Sequence, residues 1–179
     1  MHEKTRDAVA LLKADHRKVE DLFSKFEKTK DPAKKAGLAK EICTELVIHT
    51  MIEEQIFYPA CTGKIEDNTI HEAYVEQDEA KVIIAELQAS SPDNEFYDAK
   101  VKVLSELIKH HVHEEEARSE GMFAQAREAG LDMDDLGQRL MARKEALLSE
   151  FKAKGLPAPE TRSFTGHELR QGAPEAEAA

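Results

Sequence analysis

The chain has 179 residues, 41% of them hydrophobic, which suffices for one domain with a real core and requires no second. A formal charge of −11, from 36 acidic against 25 basic side chains, excludes the basic footprint that nucleic acid or another acidic partner demands. The two cysteines, Cys43 and Cys61, form neither a C-x-x-C pair nor a disulfide framework, and no apolar run approaches the roughly 18 residues of a membrane span, so the expectation is a cytoplasmic protein in a reducing compartment.

Between sparse glycines and prolines the periodicity is helical rather than alternating, and it predicts five helices. The first runs roughly from Lys4 to Thr29; the charges in "MHEKTRDAVALLKADHRKVE" leave it without the apolar core of a signal peptide. It stops at "KDP", where Pro32 opens a second helix that reaches about Cys61 before "TGK". The third covers Asp67 to Ala89 and ends at "SSPDNE". A fourth runs from near Asp93 to about Ala129, with "EAG" as its stop and Gly121 weakening its middle. The fifth, Asp132 to Ala153, reads as an appended helix, and from Gly155 onward "GLPAPETRSFTGHELRQGAPEAEAA" has the composition of a disordered tail. Short connections force antiparallel neighbours. The expected architecture is therefore all-α: an up-down-up-down four-helix bundle with an additional C-terminal helix over residues 1–154, and a flexible tail over 155–179.

Each of the first four helices has one apolar seam, and each seam carries a polar interruption. Helix one reads Leu12, His16, Val19, Phe23, Phe26; helix two reads Ile42, Leu46, His49, Glu53, Ile56, Ala60. Helix three reads Ile70, Ala73, Gln77, Ala80, Ile84, Leu87; helix four reads Val101, Leu104, Ile108, His111, Glu115, with Met122 two turns on. Residues at i and i+4 share a helix face, so His49 with Glu53 and His111 with Glu115 each direct an imidazole and a carboxylate toward the bundle axis. A single histidine on an apolar seam is more often a hydrogen-bonded core histidine, and Glu54, Glu114 and Glu116 read equally well as a solvated surface. Three histidines on three seams, two of them with a glutamate one turn on, point instead to a metal centre with Glu53 and Glu115 as bridging carboxylates. Imidazole with carboxylate suits iron, manganese or zinc, while the lack of paired cysteines disfavours thiolate zinc or an iron–sulfur cluster. On helix four the seam Val103, Leu107, His110, Glu114 is an alternative that spacing leaves open, and Glu20 makes a third pair with His16.

The stretches "LLKADHRKVEDLF", "HTMIEEQIFYP" and "LIKHHVHEEE" carry a resemblance to the hemerythrin-like or HHE cation-binding domains, over roughly residues 5 to 150. The resemblance implies a bundle around a non-haem iron centre, usually two irons with an oxo or hydroxo bridge, that binds dioxygen or senses oxygen, nitric oxide or iron. It implies His16, His49, Glu53, His111 and Glu115 as metal ligands, and it favours His111 over His110 because the family's second motif counts from there. Helix three of relatives usually carries a histidine in a stretch like "VEH", whereas this chain reads "YVEQDEAK" and offers Gln77, whose amide oxygen is a weaker ligand for iron. His71, Tyr74 and Asp78 lie off that seam. "ARSEGMFAQA" is longer than the family's step from the glutamates to an F-P pair and lacks its proline; a bulge near Gly121 is expected there, with consequences for access to the centre.

The leading expectation is thus a metal-binding protein whose partner is a small diatomic ligand or peroxide, with no nucleic acid, no membrane and no readable protein partner. Peroxidase- or catalase-like activity is the runner-up, although no separate acid–base constellation is visible, and iron storage or donation is the third reading.

Overall fold

The computed structural model describes residues 7–166 and residue 172, and every regular element among them is helical. The first helix, α1 (Ala8–Lys28), starts at Asp7, whose carboxylate accepts from the Ala10 amide at 2.9 Å. Asp31 accepts from the Ala33 amide at 2.9 Å and starts α2 (Pro32–Ile52), where Pro32 lacks the amide that a first turn leaves unpaired anyway. A π-helical turn, Glu53–Phe57, joins α2 to the short α3 (Tyr58–Cys61). Then follow α4 (Asp67–Gln88), α5 (Tyr97–Glu116), α6 (Met122–Glu128) and α7 (Met133–Lys154), the last capped by Asp132 through the amides of Asp134 and Asp135.

Helix α1 packs on α2 and α5, α2 on α4, and α4 on α5, which closes a ring of four around one axis. The apolar interior falls into two clusters. One gathers Leu11, Leu12, Ile52, Phe57, Met122 and Phe123; the other gathers Phe23, Phe26, Ile42, Leu46, Ile84 and Leu104. The polar interruptions of the four seams lie between them, so ionisable groups are held in a low-dielectric interior with apolar packing on either side. Helix α7 is no loose appendage: it lies against α1 and α2 and contributes Leu136, Leu140 and Leu147 to the first cluster.

Two predicted helices differ from what was expected. The second is continuous to Cys61 but has the π-helical turn inside it, where the Tyr58 amide reaches back five residues to the Glu53 carbonyl. One extra residue in the turn shifts the register, and Phe57, Tyr58 and Cys61 are buried where the expected seam placed Ile56 and Ala60. The fourth helix is broken rather than bulged. Helix α5 ends at Glu116, Ala117 is extended, and α6 restarts after Gly121. A Cβ on Gly121 would stand 2.6 Å from the Ala117 carbonyl and 2.7 Å from that of Glu115, so only glycine lets the chain fold back this closely.

The segment after α7 has no regular structure, yet it lies along the bundle. Gln88 donates to the Pro157 carbonyl, and Asp78 accepts from the amides of Arg162, Ser163 and Phe164 and from the Ser163 hydroxyl. Apart from Gly172, the part of the expected tail beyond residue 166 lies outside the described residues, as do the first residues of the predicted helix one.

Candidate metal centre

His16 comes from α1, His49 from the last turn of α2, Glu53 from the π-helical turn, Gln77 from α4, and His111 and Glu115 from α5; all six are buried. The structure brings four of them together most tightly: one ligand atom each of His16, His49, Glu53 and Glu115 lies within 4.8 Å of the others. The Nε2 atoms of His16 and His49 are 3.0 Å apart, His49 Nε2 is 3.2 Å from Glu53 Oε1, and His16 Nε2 is 3.3 Å from Glu115 Oε2. Ligands at about 2.1 Å from one cation stand about 3.0–3.4 Å apart when their mutual angles are square or tetrahedral. Glu53 Oε1 and Glu115 Oε2 are moreover buried without any hydrogen-bond donor. The donor set therefore fits a cation on spacing and on unsatisfied valence alike.

The other side of the same carboxylates faces His111, Tyr58 and Gln77. His111 Nε2 is 3.5 Å from Glu115 Oε1, and the Tyr58 hydroxyl donates to that oxygen at 3.0 Å. Gln77 donates from Nε2 to Glu53 Oε2 at 2.6 Å and to the Tyr58 hydroxyl at 2.7 Å. An acceptor carboxylate calls for a donor, so Gln77 turns its amide nitrogen toward Glu53, and its oxygen, the atom expected to face a metal, has no partner. Tyr58 is the group that spacing missed. Five residues after Glu53 it would sit about 140° away around a regular α-helix, and the π-helical turn brings it back to the same side. Its hint was the "FYP" that closes the second motif.

Every histidine of the centre turns its outer nitrogen to a carboxylate, the arrangement that fixes the tautomer of a metal-bound imidazole. His16 Nδ1 is 2.7 Å from Glu116, His111 Nδ1 is 2.7 Å from Glu76, and His49 Nδ1 is 3.6 Å from Asp15. Glu116 thus departs from the solvated surface that helix spacing allowed it. Glu54 leaves it too, its side chain buried against Lys81 at 2.5 Å. Burial alone would lower the pKa of His49, but Glu53 and Asp15 outweigh it and push the imidazole up to about 10. For His111 burial is again outweighed, by Glu115, Glu76 and Glu53, and the value rises to about 9. Burial would raise Glu115, yet His111, His16 and His49 hold it down at about 2. Tyr58 is driven well above its ordinary value by burial and by the two carboxylates, which keeps its proton on the phenol.

The remaining candidates fall outside the centre. His110 is 62% exposed and meets Glu76 from outside, and Glu114 and His113 are exposed, so helix four turns the His111–Glu115 seam inward. Glu20 pairs with Arg17, and His71 is exposed. Asp78 is buried but holds the C-terminal segment, and Tyr74 packs edge-on against the ring of Tyr58.

A four-helix ring with histidines and glutamates converging on its axis is the construction of a helical-bundle cation-binding protein. The model of the hemerythrin HHE cation binding domain matches residues 7–126, and the chain belongs to that family. A crystal structure of a hemerythrin HHE cation binding domain-containing protein from Mycobacterium kansasii superposes with a TM-score of 0.69 at 22% identity, covering 84% of this chain and 95% of that one. A DNA nickase from Nostoc sp. (strain PCC 7120) is 29% identical over 107 residues, 60% of this chain; the match spans only 30% of the relative's own length. Among the described residues no helix is long and apolar enough to cross a membrane.

Proposed function

We propose that the protein holds non-haem iron, in two unequal positions, and binds a small ligand there: dioxygen, nitric oxide or peroxide. The observation that carries the reading is the convergence of His16, His49, Glu53 and Glu115 at ligand spacing with two carboxylate oxygens unpaired. These four form the stronger position. The second has His111 and the outer oxygens of Glu53 and Glu115, with Tyr58 and Gln77 beside them. Imidazole and carboxylate suit iron, and manganese or zinc are the competing occupants. Iron held there would supply a Lewis-acidic, redox-active centre that polarises a bound diatomic molecule.

The protein's own part is to shape the approach. A cavity of about 20 Å³ adjoins His16, His49, Gln77 and His111 and is walled by Val19, Leu46, Ala80, Ile84, Ile108 and Val112. That is the room of about one water-sized molecule, and its apolar wall favours a small uncharged ligand. A second opening, of about 50 Å³, reaches His111 and Glu115 past Glu72, Glu76, Glu114 and Glu120, beside the break between α5 and α6. Tyr58 favours a second reading, peroxide turnover, because its hydroxyl is a proton donor within reach of both carboxylates. The nickase activity named for the Nostoc relative is not carried over: the match spans only 30% of that protein, and a net charge of −11 opposes binding to DNA phosphates.

The test is elemental analysis of protein produced with ample iron, followed by chelator challenge and spectra under dioxygen. Two irons, one of which withstands the chelator, together with a reversible oxygen-dependent spectral change without consumption, support ligand binding. Steady loss of added peroxide moves the reading to turnover. Both irons leaving at once points to storage or donation, and a protein that takes up no metal ends the proposal.

A further inference from the structure

Helix α7 lies outside the four-helix ring, and the site described above contains none of its residues. It nevertheless reaches the centre through one side chain. Lys144 Nζ pairs with Asp15 Oδ1, with only 16% of the lysine side chain and 10% of the aspartate exposed. The other oxygen of Asp15 faces His49 Nδ1 at 3.6 Å, and neither of those two buried atoms has any other partner. One residue earlier on α7, Arg143 donates to Gln55 Oε1 at 2.8 Å, so the same turn also grips the π-helical turn that carries Glu53.

We propose that Lys144 is a positioning residue for the metal centre: it holds Asp15 against the outer nitrogen of His49 and so keeps a ring proton on Nδ1 while Nε2 is the nitrogen offered to a cation. The inference rests on the reading that this site holds metal. The three histidine–carboxylate pairs differ in what steadies the carboxylate. Glu116 is held by Arg17 at 2.6 Å and by Lys13, both from α1, and Glu76 meets His110 from α5 at 3.1 Å. Asp15 takes its cation from α7, outside the ring. Without Lys144 a largely buried carboxylate would lose the cation that holds its other oxygen, and it would turn toward solvent. That turn removes the acceptor from His49 Nδ1. The imidazole can then place its proton on Nε2, which blocks the lone pair that ligates.

The test uses the full chain and iron(II) alone, competed anaerobically against a chelator, with nitrogen-15 NMR of the zinc-loaded protein as the second readout. Lys144→Met, which keeps the length of the apolar stem, should bind iron about 10–100-fold more weakly. It should also lose the Nδ1–H resonance of His49 while those of His16 and His111 persist, a pattern that general loosening of the bundle would not produce. Lys144→Arg should restore both. Unchanged affinity together with a retained His49 resonance in Lys144→Met overturns the proposal. Should that variant fail to fold by circular dichroism, Asp15→Asn with Lys144 intact carries the test: weakened iron binding supports the proposal, and parental affinity overturns it. If the parent chain itself binds no iron, the reading of the site fails first and this inference with it, an outcome distinct from a parent that binds and a Lys144→Met that binds equally well.

Discussion

Glu53 Oε1 and Glu115 Oε2 are carboxylate oxygens in the interior with no hydrogen bond, set 3.2 Å from His49 Nε2 and 3.3 Å from His16 Nε2 respectively. With His49 at about 10 and His111 at about 9, both rings are protonated at pH 7 in the metal-free chain. A cation at Nε2 must displace those protons, so metal uptake at pH 7 should release about two protons. Titration calorimetry in two buffers of different ionisation heat measures this, and a heat independent of the buffer would contradict it. The sign of the stability effect follows. Both folded values lie above the ordinary 6.5, so their contribution is complete below pH 6.5 and is lost as pH rises through about 9 and then 10. Denaturation of the metal-free protein should therefore become easier from pH 7 to 10, and much less so for the metal-loaded protein, whose histidines are already neutral. At Gln77, whose nitrogen holds Glu53 and Tyr58, Gln77→His places an imidazole beside the weaker position. Iron retained after chelator challenge should rise toward two per chain; an unchanged content would remove Gln77 from any influence on that position.

At the scale of elements, seam periodicity accounted for what faces inward on α1, α4 and α5, because an unbroken α-helix obeys its own period. Leu12, His16, Val19, Phe23 and Phe26 are all buried, as are Ile70, Ala73, Gln77, Ala80, Ile84 and Leu87. It failed where the helix changes its period. The π-helical turn at Glu53–Phe57 moves Tyr58 into the centre, and a regular count of 3.6 residues per turn has no means of anticipating it. The break at Ala117–Gly121 is the second case: a glycine can be read from a sequence, but the backbone that passes within van der Waals contact of it cannot. Gly121→Ala should cost about 1–3 kcal/mol, the usual range for forcing a methyl group into filled space. A thermal melt checks this, and because the clash involves the Glu115 carbonyl, iron content should fall in the same variant. A melting temperature equal to the parent's would show that the loop relaxes freely.

At the scale of the whole molecule, the centre is held by parts far apart in the chain. The extended segment after α7 is fastened by four donor groups of residues 162–164 that share the Asp78 carboxylate and by Arg162 on Glu54 at 3.1 Å. Asp78→Ala should free it, and limited proteolysis should then cut near residues 157–164 several-fold faster, about what loss of roughly 1 kcal/mol of hydrogen bonding implies. Equal cleavage rates would mean that other contacts hold the segment. The amino-acid sequence by itself determined the helical period, the short connections, and hence a bundle with His16, His49 and Glu53 directed toward one axis; these follow from local geometry that each helix carries alone, whereas spacing left His111–Glu115 and His110–Glu114 both open until packing turned the first pair inward. Only the tertiary structure decided that Tyr58 and the amide nitrogen of Gln77 face the carboxylates, that Glu116, Asp15 and Glu76 stand behind the three imidazoles, and that α7 reaches Asp15 through Lys144. Those contacts join residues separated by up to 129 positions, and their distances are set by how the helices pack against one another, which no local period encodes.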